Sequence, residues 1–284
     1  MDLDSAYRRC QRLADSHYEN FPVAKMVPKR IRRHVAAVYA FARTADDIAD
    51  ENHETVAADS PERVKWLEEY VAQLDEAVAG RPLDPRWDWI FAPCADTIAK
   101  FDVPPQLFRD LVSAFAQDVV KKRYRDYGEL YDYCRRSANP VGRLVLILHG
   151  LREERMFEMS DAICTALQLA NFWQDMSVDR SKNRIYIPME EWGALTEEDF
   201  FAPSASEAVR SCLCAQVVRT ESLFRRGEGL PKLLPFPLSL EIKVTIAGGR
   251  AILGMIERQK FDTLSKRPAL RGRDKARLLL SALF

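Results

Sequence analysis

Asp46 and Asp50 stand four residues apart in Arg43-Thr44-Ala45-Asp46-Asp47-Ile48-Ala49-Asp50-Glu51. A helix brings both carboxylates to one face, with Asp47 beside them and Arg43 one turn earlier. Like charges at that spacing repel by a few tenths of a kcal/mol in an isolated helix. These follow an apolar run from Val35 to Ala42, so a core helix ends in a carboxylate cluster that asks for a compensating cation. Taken alone, the cluster also fits a solvated helix terminus. A second group is Gln168, Asn171, Asp175 and Asp179, at spacings of 3, 4 and 4. On a helix these four share a stripe less than a quarter-turn wide. Leu169, Ala170, Phe172, Trp173 and Met176 lie between them, and a polar stripe on so apolar a helix faces a partner or a polar cavity. Two such helices facing each other across a bundle can hold hard divalent cations. Mg²⁺ takes one or two carboxylates, keeps waters and completes its shell with phosphate oxygens. No Cys/His cluster competes as a transition-metal site. The chemistry implied is ionisation of a diphosphate ester: metal ions stabilise charge on the departing diphosphate and leave an allylic-type carbocation in an apolar pocket.

The elements that must position these groups read as helices. Pro28 opens a stretch from Lys29 to Glu51 in which Ile31, Val35, Val38, Tyr39 and Ala42 recur at three- and four-residue spacings. Further helices are predicted over 4–18, 61–79, 86–100, 104–119, 126–150, 160–178, 206–228, 238–260 and 270–283. Strand-like alternation is scarce, and Gly occurs only 11 times. Gly80-Arg81-Pro82, Pro104-Pro105 and the run Pro231 to Pro237 punctuate the helices without forming a flexible linker, and there is no internal repeat. One all-α domain over residues 1–284 is the expected organisation.

The chain has 284 residues with 42 basic and 42 acidic side chains, which excludes nucleic-acid binding by bulk charge. Neutrality hides an asymmetry: residues 1–201 carry 27 Lys/Arg against 35 Asp/Glu, leaving 15 against 7 in 202–284. Arg271, Arg273, Lys275 and Arg277 precede an apolar end, Leu278 to Phe284, which fits either an anionic membrane surface or a final helix packed on the core. The six cysteines form no CxxC pair, so reduced core thiols are expected rather than zinc or disulfides. Met1-Asp2-Leu3-Asp4 does not read as a signal peptide, and no apolar run approaches the ~18 residues that span a bilayer. The expected location is cytoplasmic, with peripheral contact at the inner face of the cell membrane. No GxGxxG is present, and Gly248-Gly249 follows no strand, so no nucleotide domain is indicated.

With these residues in view, the sequence resembles the squalene/phytoene synthase family. Four parts carry the resemblance: His17-Tyr18-Glu19-Asn20-Phe21; Tyr39-Ala40-Phe41-Ala42-Arg43 leading into Asp46-Asp47-Ile48-Ala49-Asp50; Tyr133-Cys134 with Ala138 and Val141-Gly142; and Gln168 to Asn171 through Asp175, Asp179 and Arg184-Ile185-Tyr186-Ile187-Pro188. It implies an isoprenoid-synthase-type helical bundle around a central cavity. By resemblance, Asp46, Asp47, Asp50, Asn171, Asp175 and Asp179 are ligands of Mg²⁺, with Mn²⁺ as a substitute. Arg43, Arg184, His17, Gln168, Asn171 and Tyr186 hold the substrate diphosphate, a role that suits the bidentate guanidinium. Tyr133 stands where the family places a tyrosine near the reacting carbons; packing beside Tyr127 and Tyr131 is the plainer reading. For His17 it is a structural histidine. Phe21, Phe41, Leu144, Ile147, Leu148, Leu169 and Phe172 flank the polar motifs as wall candidates, each equally at home in a core.

Within the family, His17 to Val23 and Asn171-Phe172-Trp173-Gln174-Asp175 look like the hydroxysqualene synthase branch of bacterial hopanoid pathways. That branch ionises presqualene diphosphate made by a partner enzyme of the pathway. It ends the cation rearrangement with water, without NADPH. Condensing members carry Arg and Glu where this chain has Gln174 and Val178, and a tyrosine where it has Phe261. The alternatives are condensation of two farnesyl diphosphates to presqualene diphosphate, squalene or a carotenoid precursor, and a non-catalytic scaffold relative. The intact Asp positions, Asn171, Arg43 and Arg184 argue against a scaffold. An ordinary terpene cyclase would need an Asn-Asp…Ser/Thr…Glu motif that residues 171–179 do not supply.

Overall fold

Prolines and capping side chains decide where the helices begin. The computed structural model describes residues 1–17, 27–50, 57 and 59–272, and the secondary structure among them is helical. The α-helices are α1 (Leu3–His17), α2 (Lys29–Asp50), α3 (Pro61–Val78), α4 (Asp88–Phe101), α5 (Gln106–Val120), α6 (Tyr127–Ser137), α7 (Asn139–Leu148), α8 (Glu154–Asp179), α9 (Glu197–Phe201), α10 (Glu207–Gly227) and α11 (Leu238–Arg258). Pro28 leads into α2. Ser60 caps α3 by accepting from the Glu62 amide, with Pro61 in the first turn, where its missing N–H costs nothing. Asp126 and Ser206 cap α6 and α10 in the same manner.

Two predicted boundaries change. The stretch 126–150 is two helices, because the Pro140 ring cannot donate and would crowd the carbonyl of Arg136; α6 therefore closes at Ser137 and α7 starts with Pro140 in its first turn. The acidic stripe rides on a helix that begins at Glu154, six residues before the predicted 160. Of the predicted 270–283 helix, residues 273–284 lie outside the described part, as do residues 18–26 and the side chain of His17.

The chain divides into two compact units, 1–121 with 140–153, and 122–139 with 154–284. In the first, Phe41 of α2 is the hub: its ring meets Tyr70 at 5.3 Å, Phe91 at 5.8 Å and Phe108 at 5.0 Å, which ties α2 to α3, α4 and α5. A buried polar clasp fixes α1 and α4 on α2. The Tyr7 hydroxyl lies 2.6 Å from Asp96 and 2.9 Å from His34 Nδ1, which is 2.9 Å from the Thr97 hydroxyl. Burial and the neighbouring Lys100 and Arg33 push His34 down to about 4, so its imidazole is neutral. In the second unit α8 is the central helix, and α10 and α11 reach it through glycines. A Cβ on Gly227 would lie 2.7 Å from the Met159 carbonyl oxygen, and one on Gly249 would lie 2.9 Å from Leu167 Cδ2. Trp173 Nε1 donates to the Thr220 hydroxyl at 2.8 Å, locking the rotation of α8 against α10. Cys10, Cys94 and Cys134 are core residues, whereas Cys164, Cys212 and Cys214 are half-buried.

Candidate functional site

In the first unit the cation that the acidic end of α2 asks for is present twice. Arg43 pairs with Asp46 at 3.4 Å and with Asp47 at 2.5 Å, and all three are partly exposed. The second cation is Arg63 of α3, which is fully buried. Its guanidinium donates to the carbonyls of Ala49 (2.9 Å), Ile48 (3.3 Å) and Ala57 (2.9 Å). It thus satisfies backbone acceptors in the last turn of α2, the turn that carries Asp47 and Asp50, and in the segment just beyond it. Nothing in the sequence pointed to Arg63, which sits 14 residues beyond Ala49 in an ordinary amphipathic helix.

In the second unit α8 has the predicted two-sided character. Leu169, Ala170, Phe172, Trp173 and Met176 are buried; Gln168, Asp175 and Asp179 are half-buried and Asn171 is exposed. Asp175 is met by Arg267, whose Nε is 2.5 Å from Oδ1 and whose Nη2 is 3.4 Å from Oδ2. The chain carrying Arg267 is strapped down on both sides: buried Gln174 donates to the Pro268 carbonyl at 2.7 Å, and Gln259 donates to that of Lys266 at 2.9 Å. The uncharged residue at 174 therefore has a positive duty, holding this strap.

Arg184 and Tyr186 follow a tight turn in which Asn183 takes φ 55°, and the Arg184 amide returns to the Asp179 carbonyl. The segment is then pinned by amide donations from Ile185, Met189 and Glu190 to the carbonyls of Lys122, Tyr124 and Arg125. This lays Tyr186 flat on Phe172, with centroids 3.6 Å apart and planes at 6°. Tyr133 joins them, 5.9 Å from Phe172 and 6.3 Å from Tyr186, and Tyr124 completes the group at 5.8 Å from Tyr133. Tyr133 is buried among these rings, while Tyr127 and Tyr131 pair with each other at 5.2 Å. The neighbours of Tyr133 are thus aromatics brought from distant sequence. Phe41 sits in the core of the first unit, and Leu144, Ile147, Leu148 and Leu169 are buried.

A cavity of about 10 Å³ opens among Phe172, Met176, Asp179, Arg184, Tyr186 and Leu264, flanked by Ile185, Ile187 and Phe200. It has room for roughly one water molecule. One small space thus brings together an acid of the stripe, the arginine of Arg184-Ile185-Tyr186, and the stacked aromatic pair. Among the described residues no three His, Cys, Asp or Glu side chains form a ready metal cage. The donor set nevertheless fits Mg²⁺, a hard ion that needs only one or two carboxylates beside water and phosphate oxygens. Each acidic helix offers carboxylates in i, i+4 register on a fixed frame, and Arg43 and Arg267 now balance charge there.

Comparison with known proteins gives a consistent result. The family model for squalene/phytoene synthase matches residues 13–274. A hydroxysqualene synthase of Rhodopseudomonas palustris is 37% identical over 260 residues, 89% of this chain and 84% of the relative. One of Sinorhizobium fredii is 34% identical over 244 residues, 84% of this chain and 80% of the relative. The crystal structure of squalene synthase HpnC from Alicyclobacillus acidocaldarius superposes with a TM-score of 0.82 at 38% identity, covering 91% of this chain and 95% of that one.

Proposed function

The chain belongs to the squalene/phytoene synthase family, and on that premise we propose that it is a hydroxysqualene synthase acting on presqualene diphosphate. The reaction ionises the C–O bond to diphosphate, rearranges the cyclopropylcarbinyl cation and captures water, releasing hydroxysqualene, diphosphate and one proton. The whole chain, 1–284, serves as one catalytic domain, cytoplasmic and working against the inner face of the membrane that supplies its substrate.

The observation that carries this reading is the shared lining of the small cavity in the second unit, where Asp179 and Arg184 adjoin the Phe172–Tyr186 stack. Anion-binding and cation-tolerating surfaces meet there within one side chain's reach. Asp46, Asp50, Asp175 and Asp179, with Asp47 and Asn171 beside them, are the groups that would hold Mg²⁺. When bound, Mg²⁺ supplies Lewis-acid stabilisation of the negative charge gathering on the leaving diphosphate. Arg43 and Arg184 bind diphosphate oxygens through paired N–H donors; Gln168, His17 and Tyr186 donate to the same group. The rings of Phe172, Tyr186, Tyr133 and Tyr124 would line the carbocation's surroundings with negative quadrupole density. Their packing excludes bulk water, so capture depends on the roughly one water the cavity admits. The captured water gives up its proton to the released diphosphate, the strongest base that the reaction itself provides.

The test incubates the full-length protein and Mg²⁺ separately with presqualene diphosphate and with farnesyl diphosphate in ¹⁸O-labelled water. A labelled C30 alcohol from presqualene diphosphate is expected. Efficient conversion of farnesyl diphosphate alone to a C30 product would refute the assignment. Asp46→Asn combined with Asp175→Asn should abolish turnover, which a scaffold protein would not require.

A further inference from the structure

The segment between α10 and α11 reads Leu230-Pro231-Lys232-Leu233-Leu234-Pro235-Phe236-Pro237 and puts its apolar side chains on both sides of the surface. Leu230, Pro231 and Leu234 are buried anchors. Phe236 is 76% exposed, the most of any large hydrophobic residue among those described, and Leu233 is 40% exposed. Pro235 between them is exposed as well. Single exposed apolar residues need no explanation. Here Leu233, Pro235 and Phe236 fall within four positions, on a chain whose prolines fix φ and hold the aromatic ring out in solvent.

The charge around this prong points to the surface it fits. Lys232 and Lys243 are exposed and make no ion pair among the described residues. The two acids that bracket the segment are both muted. Glu228 is paired with Arg250 at 2.8 Å, and burial of Glu241 in the first turn of α11 pushes its carboxyl up to about 7. A protruding aromatic flanked by bare cations is complementary to a bilayer carrying anionic headgroups.

We propose that Leu233, Pro235 and Phe236 form a membrane-docking prong that seats in the headgroup region of an anionic bilayer, with Lys232 and Lys243 on lipid phosphates. The placement of the prong agrees with the chemistry of the substrate. Gly227 and Gly229, just before it, lie against Ile163 and Met159 near the N-terminal end of α8. Asp175 is 16 residues further along that helix, a rise of about 24 Å. An amphiphile whose diphosphate is held at Asp175 and Asp179 would reach the prong by laying its hydrocarbon back along α8. In this respect the inference rests on the prenyl diphosphate reading above.

Co-sedimentation of the full chain with phosphatidylglycerol/phosphatidylcholine vesicles, and with phosphatidylcholine alone, tests it. Binding to the anionic vesicles is expected, weakened by salt. Phe236→Ser should reduce the partition coefficient about tenfold, and Lys232→Glu on that background about fivefold more. Turnover of detergent-dispersed presqualene diphosphate, measured in parallel, should be unchanged in both variants. Vesicle binding by the wild type that both substitutions leave unaltered would overturn the proposal, as would no binding at all. So would a wild-type dimer that Phe236→Ser dissociates while vesicle binding persists, which would make the prong a contact between copies. Vesicle binding that depends on Phe236 in a protein inactive on presqualene diphosphate would refute the reaction and uphold the docking surface.

Discussion

Replacing Arg63 by Met tests whether the acidic end of α2 is held from below. Methionine has similar length and no charge, so it fills the same space between α2 and α3. It removes three donations, to Ile48, Ala49 and Ala57, all made by a side chain with no exposure to solvent. Hydrogen bonds to a charged group contribute about 1.5–3 kcal/mol each, a gross loss of about 5–9 kcal/mol. Relief from burying a guanidinium returns several kcal/mol, leaving a net destabilisation of about 3 kcal/mol. In a chain of this size that lowers the melting temperature by about 5 °C. The loss should not spread evenly, because two of the freed carbonyls, those of Ile48 and Ala49, belong to the last turn of α2. Fraying there moves Asp50 and weakens Mn²⁺ binding about tenfold, while the helix content of the rest is retained. Calorimetry measures the first effect, and Mn²⁺ titration followed by electron paramagnetic resonance measures the second. A variant that melts at the wild-type temperature and binds Mn²⁺ unchanged would refute the argument. Lower stability with unchanged Mn²⁺ affinity would leave Arg63 as a packing residue with no bearing on the site.

Arg267→Ala removes the cation now paired with Asp175; a half-exposed pair of this kind contributes at most about 1 kcal/mol. Mn²⁺ affinity without diphosphate should rise by no more than about fivefold, read by isothermal titration. Gly227→Ala drives a methyl against the Met159 carbonyl, which cannot rotate away; a loss of about 2 kcal/mol is expected in urea unfolding. Tyr186→Leu removes the face stacked on Phe172 and should lower kcat more than KM, since the ring acts on the carbocation; equal kcat with raised KM would contradict that role. His34, buried and pushed down to about 4, stays neutral in the folded state while the unfolded chain takes up a proton below about 6.5. Stability is therefore complete above that pH and falls as pH drops from 6.5 toward 4, by about 3 kcal/mol for this residue. His34→Gln should flatten that slope in pH-dependent chemical unfolding.

Much of the candidate site is legible because it is local. A carboxylate pair at i, i+4 needs only a helix to share a face, and apolar periodicity establishes the helices on which Asp46, Asp50, Asp175 and Asp179 stand. The chemistry of hard oxygen donors beside paired arginines follows from residue type. Helix starts at Lys29, Pro61 and Glu207 were legible for the same reason, since proline and capping side chains act on their own first turn. Pro140 is equally visible, and it divides a helical pattern that otherwise runs through it.

What tertiary structure alone decided is which distant residues compensate and enclose those groups. Arg63 beneath α2, Arg267 on Asp175, and Tyr124 and Tyr186 around Tyr133 all act across chain separations at which periodicity carries no information. Their roles arise from burial: a guanidinium without solvent must find carbonyls, and a tyrosine face must find another ring. Phe41, which sequence context left open between pocket wall and core, is core because three rings from three other helices close on it. The same physics makes Phe236 conspicuous. In the sequence it is one apolar residue in a proline-rich connection, and only the fold shows that the buried positions beside it are filled and its ring has nowhere to go but out.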